Sequence, residues 1–316
     1  MRRFARGCVW AVFGLFAAAL GPGLPEQAAD GFALTEAAPG VFAAIAQPGN
    51  DSAIGNAGFI IGSDAVLVVD SFATPRAAQQ LLAQIRRRTH LPVRWLVNTH
   101  HHLDHCGGNS ELAKAGAVVV AHENARSAMR AAALARMAPA NSPEKEKSLR
   151  GFLPSETYRD SLSIWLGERR VDVFSQPGHT AGDSLVWVPD ANVLFGGDLV
   201  QKATVPNLSD AKTDAWVQTL DALALRFPSA ILVPGHGAVA RPLDMRALRD
   251  YLAGLRLAVA RELQRGDSGA ALSDALLPQL RSQYRAWTWS ERIGDNLAQV
   301  EAELTGKKAF APAPTP

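Results

Sequence analysis

Residues 99–109 read Thr-His-His-His-Leu-Asp-His-Cys-Gly-Gly-Asn and hold four of the eight histidines of the 316-residue chain, with a carboxylate among them. Imidazole nitrogens and a carboxylate oxygen at this density suit a borderline-soft divalent cation such as zinc. The run follows Trp95-Leu96-Val97, an apolar stretch that reads as a buried strand. Residues two apart in an extended segment point the same way, so His100 and His102 can share one ion. Asp104 and His105 come after the chain has begun to turn and can face a second position beside the first. Adjacent histidines gain nothing as helix caps. The stretch therefore reads as half of a metal site, and the rest of the chain must supply the missing donors.

Three further polar residues stand beside glycines after strand-like runs. They are His179 in Gln176-Pro177-Gly178-His179-Thr180, Asp198 in Gly196-Gly197-Asp198, and His236 in Pro234-Gly235-His236-Gly237. Glycine lets the backbone approach closely, so all three can face the same sheet edge as the histidine run.

The set His100-x-His102-x-Asp104-His105, then His179, Asp198 and His236 in these turns, resembles the metallo-β-lactamase superfamily over roughly residues 32–240. The resemblance implies an α/β fold, an αβ/βα four-layer sandwich of two mixed β-sheets with outer helices. It implies that His100, His102 and His179 hold one metal, that Asp104, His105 and His236 hold a second, and that Asp198 bridges both. Asp70, at the end of its strand, matches a supporting position. The cofactor implied is two zinc ions per chain, with iron or manganese suited to the same donors. A bridging water would ionise near neutral pH and attack a carbonyl or phosphoryl centre while one metal polarises the substrate oxygen. Asp104 would then be catalytic as well as a ligand, orienting the water or accepting its proton. Thr180 and Asp183 could support the His179 turn, or simply stabilise it.

Asp198 narrows the reaction. Zinc β-lactamases of this superfamily carry Cys or Ser at the bridging position, whereas Asp there is similar to glyoxalase II, lactonases and related esterases or phosphodiesterases. The reading is an exported dinuclear zinc hydrolase acting on an ester, thioester, lactone or amide. A β-lactamase is the alternative within enzymes. Mononuclear iron persulfide dioxygenases keep the same ligands. Flavodiiron oxygen reductases have Glu where His102 stands. The rival from another class is a non-catalytic zinc-binding periplasmic accessory protein.

The elements that must hold these residues follow from apolar periodicity. Apolar stretches between 32 and 46, split by Pro39-Gly40, predict a hairpin, and β-branched runs at 57–61 and 65–70 predict a second. Thr74-Pro75 opens a helix with Thr as cap and Pro at the first position. Ala78, Leu81, Leu82 and Ile85 follow at helical spacing, and the arginines at 86–88 suit its C-terminal dipole. A strand at 93–97 delivers the histidines, and Gly107-Gly108-Asn109 turns into a short helix at 110–114. A strand at 117–121 and a helix at 123–137 follow. The polar, proline-bearing stretch 139–154 predicts an exposed insertion of the kind that acts as a lid. Strands are expected around Gly167, at 185–188 and at 193–195, the last ending in Gly196-Gly197-Asp198. A helix over 214–226 precedes a strand at 231–233, and helices fill the chain from 243 to 304.

The domain plan is a signal peptide over 1–29, a catalytic domain over 30–240, a helical segment packed on it over 241–304, and a disordered tail over 305–316. Arg2, Arg3 and Arg6 precede an apolar run at 9–20, and Ala28-Ala29 offers a cleavage point. The run is too short and too interrupted by Gly and Pro for a stable span. Export to a periplasm or beyond is expected, with no stable membrane insertion after cleavage. Cys8 falls in the signal, so Cys106 is alone in the mature chain and no intramolecular disulfide can form; it reads as a small buried residue filling a tight turn. A net charge of +2 does not favour nucleic acid. The expected partner is a small-molecule substrate, and the oligomeric state is left open. His90, His101 and His122 stand outside the donor set, His101 as a surface or supporting residue and His122 at a helix start. Trp287 and Trp289 suit a pocket or packing equally. Glyoxalase II binds glutathione through helices after this region, where Arg256, Arg261 and Arg265 lie here. An exported enzyme meets little glutathione, and helices that simply cover a sheet are the plainer expectation.

Overall fold

In the computed structural model, which describes residues 31–136 and 149–308, two mixed sheets lie face to face between outer helices. The first sheet runs in chain order: β1 (Phe32–Ala38), β2 (Val41–Ala46), β3 (Ala57–Ile61), β4 (Val66–Val69), β5 (Val93–Val97), β6 (Val118–His122) and β7 (Glu156–Tyr158). Strands β1 to β4 pair antiparallel, with Pro39-Gly40 turning the first hairpin. From β4 to β7 the pairing is parallel, which requires crossovers rather than tight turns. The second sheet comprises β8 (Ser161–Leu166), β9 (Arg169–Ser175), β10 (Ser184–Val188), β11 (Val193–Gln201) and β12 (Ile231–His236), in the order β12-β11-β10-β9-β8. Only β11 and β12 are parallel in it.

The helices are α1 (Pro75–Arg86), α2 (Leu103–Cys106), α3 (Asn109–Lys114), α4 (Glu123–Arg136), α5 (Thr213–Arg226), α6 (Pro242–Arg265), α7 (Ala270–Gln283) and α8 (Ile293–Leu304). At the start of α1 the Thr74 hydroxyl accepts the Ala77 N–H at 3.3 Å, with Pro75 leading the helix. His122 opens α4 by accepting the Asn124 N–H on Nδ1 at 3.1 Å.

Three apolar layers separate the four structural ones. β4 shows why its sequence is unbroken: Val66 and Val68 pack outward with Ala77, Ala78, Leu81 and Ile85 of α1. Leu67 and Val69 pack inward with Val173, Val186, Phe195 and Val233 of the second sheet. A strand covered on both faces has no polar face to alternate, and each such fully buried side chain stabilises the fold by roughly 1.5–3 kcal/mol. Leu185, Leu194 and Leu232 on the outer face of the second sheet meet Trp216 and Leu220 of α5 and Leu248, Tyr251 and Leu255 of α6. α7 and α8 add Leu272, Ile293, Leu297 and Val300 to this layer.

Two strands differ from the sequence reading. β11 does not end at Gly196-Gly197-Asp198 but runs on to Gln201, and its register against β12 shifts between Phe195 and Gly197 and again before Gln201. Asp198 thus lies in an irregular strand, where a bulge re-aims the side chain. β7, absent from the expected elements, adds to the edge of the first sheet beside β6. The signal peptide, residues 139–148 of the expected insertion and the tail beyond 308 lie outside the described residues. The last part of that insertion is tied down: Asn109 donates to the Phe152 carbonyl and Arg126 to that of Pro154. Among the described residues no helix is long and apolar enough to cross a membrane.

Candidate metal centre

The histidine run leaves the C-terminal end of β5 and is folded back on itself by a polar clasp. Asn98 and Asn109 exchange side-chain hydrogen bonds at 2.9 and 2.8 Å, and the Ser71 hydroxyl donates to Asn109 at 2.8 Å. A Cβ on Gly107 would collide with the Ala73 carbonyl, so only glycine lets α2 sit against that backbone. The other donors arrive from the second sheet: His179 on the loop between β9 and β10, Asp198 in β11, and His236 at the end of β12.

His100, His102 and His179 converge, their ring centroids 4.8–4.9 Å apart and His179 Nε2 3.0 Å from His102 Nδ1. Asp104, His105 and His236 form a second group. His236 Nε2 lies 3.3 Å from Asp104 Oδ2, and His105 Nε2 lies 3.6 Å from the same oxygen. Asp198 stands between them, with Oδ1 3.1 Å from His105 Nε2 and Oδ2 3.4 Å from His179 and 3.3 Å from His236. Each group offers ligand atoms within 4.8 Å of one another. Donors about 3.3 Å apart are what a tetrahedral ion with bonds of about 2.0–2.1 Å requires. His100 Nε2 is moreover buried with no hydrogen-bond partner, an arrangement that costs free energy unless a cation takes its lone pair. The donor set fits metal.

The supporting contacts fix which nitrogen faces inward. Asp70 accepts the Thr99 N–H and hydroxyl, both at 2.7 Å, and lies 3.0 Å from His105 Nδ1, which leaves His105 Nε2 to the centre. The Thr99 oxygen is in turn 3.1 Å from His100 Nδ1. Asp210 lies 2.8 Å from His102 Nε2 and leaves Nδ1 for the centre. Sequence reasoning missed Asp210. It sits in no motif, on the loop before α5, and only the long-range fold brings it to His102. Thr180 and Asp183 bond each other, through the Thr180 N–H at 2.8 Å and its hydroxyl at 2.5 Å, and make no hydrogen bond to a donor ring. They hold the turn that carries His179. A Cβ on Gly235 would land on the Asp198 carboxylate, so this glycine makes room for that carboxylate.

Electrostatics divide the imidazoles. Burial holds His100 well below the usual imidazole range and brings His179 down to about 3, which keeps their lone pairs free. Burial also opposes charge on His105 and His236, but the surrounding carboxylates prevail. Asp104 and Asp198 hold His105 well above its usual range, and Asp198 with Asp104 brings His236 up to about 9. Against their own burial, Asp104 and Asp198 are held well below the carboxylate range by the same two imidazoles. A site that concentrates negative charge in this way takes up cations, as protons or as metal. Two metals sharing one carboxylate could clamp both the attacking and the leaving oxygen of a hydrolysis.

The remaining candidates fall outside the two groups. His101 is half-buried, 3.6 Å from Asp210 and edge-on beside His100. Cys106 is buried; burial raises its thiol far above the usual range, and it donates only to the His101 carbonyl. His90 is exposed. Trp287 packs among Tyr251 and Tyr284, whereas Trp289 sets its ring 4.8 Å from His236. Arg256 is engaged by Glu303 and Thr213, and Arg265 by Glu262.

A family model described as metallo-beta-lactamase superfamily matches residues 51–236. Over 187 residues the chain is 29% identical to the metallo-beta-lactamase type 2 of Bacteroides fragilis, a match that covers 58% of this chain and 68% of that protein. Over 244 residues it is 23% identical to the linear primary-alkylsulfatase of Pseudomonas sp. (strain ATCC 19151), covering 64% of this chain and 46% of that one. The solved metallo-beta-lactamase from Pontibacter korlensis superposes with a TM-score of 0.58 at 22% identity, over 70% of this chain and 99% of its own, a likeness of fold. The family match takes in more than half the chain and every donor of the two groups. The chain belongs to the metallo-beta-lactamase superfamily, whose members are typically metal-dependent hydrolases.

Proposed function

We propose that the protein is an exported dinuclear zinc hydrolase that cleaves an ester, thioester, lactone or amide. In this reading His100, His102 and His179 would hold one ion, Asp104, His105 and His236 the other, and Asp198 would serve both. The observation that carries it is the Asp198 carboxylate, within 3.1–3.4 Å of ring nitrogens from both groups. When bound, the zinc pair supplies a nucleophile from water near neutral pH and polarises the oxygen of the scissile bond.

The chain's own residues do the rest. Asp104 orients the attacking water and takes its proton. Its side chain is 25% exposed against 6% for Asp198, so it alone of the two carboxylates can pass a proton to solvent. Asp70 and Asp210 hold His105 and His102 in register, and Trp289 shields His236 from bulk water. The helical segment 241–304 belongs to the same folded unit as the catalytic part. Export rests on the arginines and apolar run of the first thirty residues.

The Bacteroides fragilis relative favours a second reading, a β-lactamase; the Asp at 198 weighs against it. Metal analysis of the purified protein should return close to two zinc per chain, and one iron per chain would sink the hydrolase assignment. Chromogenic β-lactam, lactone, thioester and phosphodiester substrates, run with wild type and Asp104→Ala, then separate the classes. Absence of metal-dependent turnover on every substrate would favour a non-catalytic zinc-binding protein.

A further inference from the structure

The candidate centre has one wall built from residues that lie beyond the family match, which ends at residue 236. Trp289 presents its ring edge-to-face to His236 at 4.8 Å, and the Arg292 guanidinium lies 3.9 Å over the Trp289 ring. The backbone is set to hold this arrangement. Trp289 has φ 61°, an uncommon conformation for a bulky residue. The loop before it is pinned to the segment after β11, with the Thr288 N–H on the Ala203 carbonyl and the Val205 N–H on the Thr288 carbonyl, both at 2.9 Å.

Arg292 is half-buried, and among the described residues it forms no ion pair within 4 Å. Its burial works against its charge, and the carboxylates that favour the charge are first Asp104 and Asp198, at longer range. Once those two carboxylates engage metal, the counter-charges that remain are the exposed Glu291 and Asp295, neither paired with it within 4 Å, and the planar guanidinium stays partly desolvated on the indole that borders His236. Such a group is suited to receive a carboxylate, sulfate or phosphate through charge-assisted hydrogen bonds.

We propose that Arg292, held in place by Trp289, is the subsite that selects substrates carrying an anionic group beside the scissile bond. The proposal rests on the hydrolase reading and narrows its substrate to anionic esters, thioesters, lactones or amides. Zinc-loaded protein is assayed with the neutral 4-nitrophenyl butyrate and the anionic mono-4-nitrophenyl glutarate. The ratio of kcat/KM, anionic over neutral, should fall about tenfold in Arg292→Ala, through KM, as expected for one charge-assisted contact. Arg292→Lys should keep part of the preference, and Arg261→Ala, on the exposed side of α6, should keep all of it. An equal loss on both esters in Arg292→Ala overturns the proposal. A second readout needs no turnover: glutarate, sulfate and phosphate are titrated in turn into zinc-loaded wild type and Arg292→Ala by calorimetry. At least one should bind about tenfold more weakly to the variant, and that anion identifies the group recognised. Equal binding of all three overturns the subsite. Arg292-dependent binding with no metal-dependent hydrolysis of these esters or of any β-lactam, lactone, thioester or phosphodiester would leave the subsite standing and remove the hydrolase reading.

Discussion

At the scale of single residues, the centre is a competition between protons and metal. In the metal-free chain His105 and His236 carry the positive charge that Asp104 and Asp198 demand, with His236 raised to about 9. Zinc must displace those protons. At pH 7.5 its uptake should release about two protons per chain, read as a dependence of the calorimetric heat on the ionisation enthalpy of the buffer; heats that do not vary with buffer would refute it. The sign of the metal-free stability follows from the same shifts. The raised His236 contributes stability that is fully present below about pH 6.5 and lost as the pH climbs through about 9. The depressed His179 contributes stability present above about pH 6.5 and lost as the pH falls toward about 3. Metal-free protein should therefore be most stable near pH 6.5, a maximum that urea midpoints across the range would reveal. Asp210→Asn removes the charge behind His102 and should weaken zinc about 10–100-fold without unfolding the chain, measured by competition with a chromophoric chelator. Unchanged affinity would mean that Asp210 does not hold the ring. The HxHxDH donors were legible because they lie within six residues of one another. Asp210 and Arg292 were not, since each is an isolated charge whose partner is set by the tertiary fold.

At the scale of elements, the sequence speaks clearly where a strand is regular and poorly where it is bent for a purpose. The uninterrupted apolar β4 and the Thr74-Pro75 start of α1 could be read directly. The far end of β11 could not: its two glycines and an aspartate look like a turn, yet the strand continues through shifted register to Gln201. That irregularity is matched on β12 by Gly235, where a side chain would strike the Asp198 carboxylate. Gly235→Ala should give a chain with native circular dichroism that retains well under two zinc per molecule. Full zinc content in that variant would show that β12 can yield. Thr74→Ala tests an ordinary structural contact and should cost about 1 kcal/mol in denaturant unfolding, with zinc content unaffected.

At the scale of the whole molecule, the first sheet contributes His100, His102, Asp104 and His105, and the second contributes His179, Asp198 and His236. Bound metal would therefore tie the two halves together at one end, across an apolar interface formed by residues such as Leu67 and Val173. Free zinc at a thousandfold excess over its Kd adds about 4 kcal/mol to stability. Chelation should accordingly lower the melting temperature by several degrees, reversibly on adding zinc back, and a melting curve indifferent to chelator would argue against occupancy. The four-layer plan was legible through the family resemblance that the donor motifs carry, and the C-terminal helices from their amphipathic pattern. How that last segment meets the centre was hidden, because the approach of Trp289 to His236 depends on backbone geometry at one residue, with φ 61°.

The wall formed by Trp289 has a consequence for how such a protein can diverge. Every donor lies before residue 237, while the indole and guanidinium that border the centre come from residues 289 and 292. On the proposed reading, reaction chemistry and ligand choice would be written in separate stretches of the chain. Substitutions in the loop before α8 can redirect what the protein accepts while the metal donors stay untouched, so new specificities can be sampled without first surrendering the reaction.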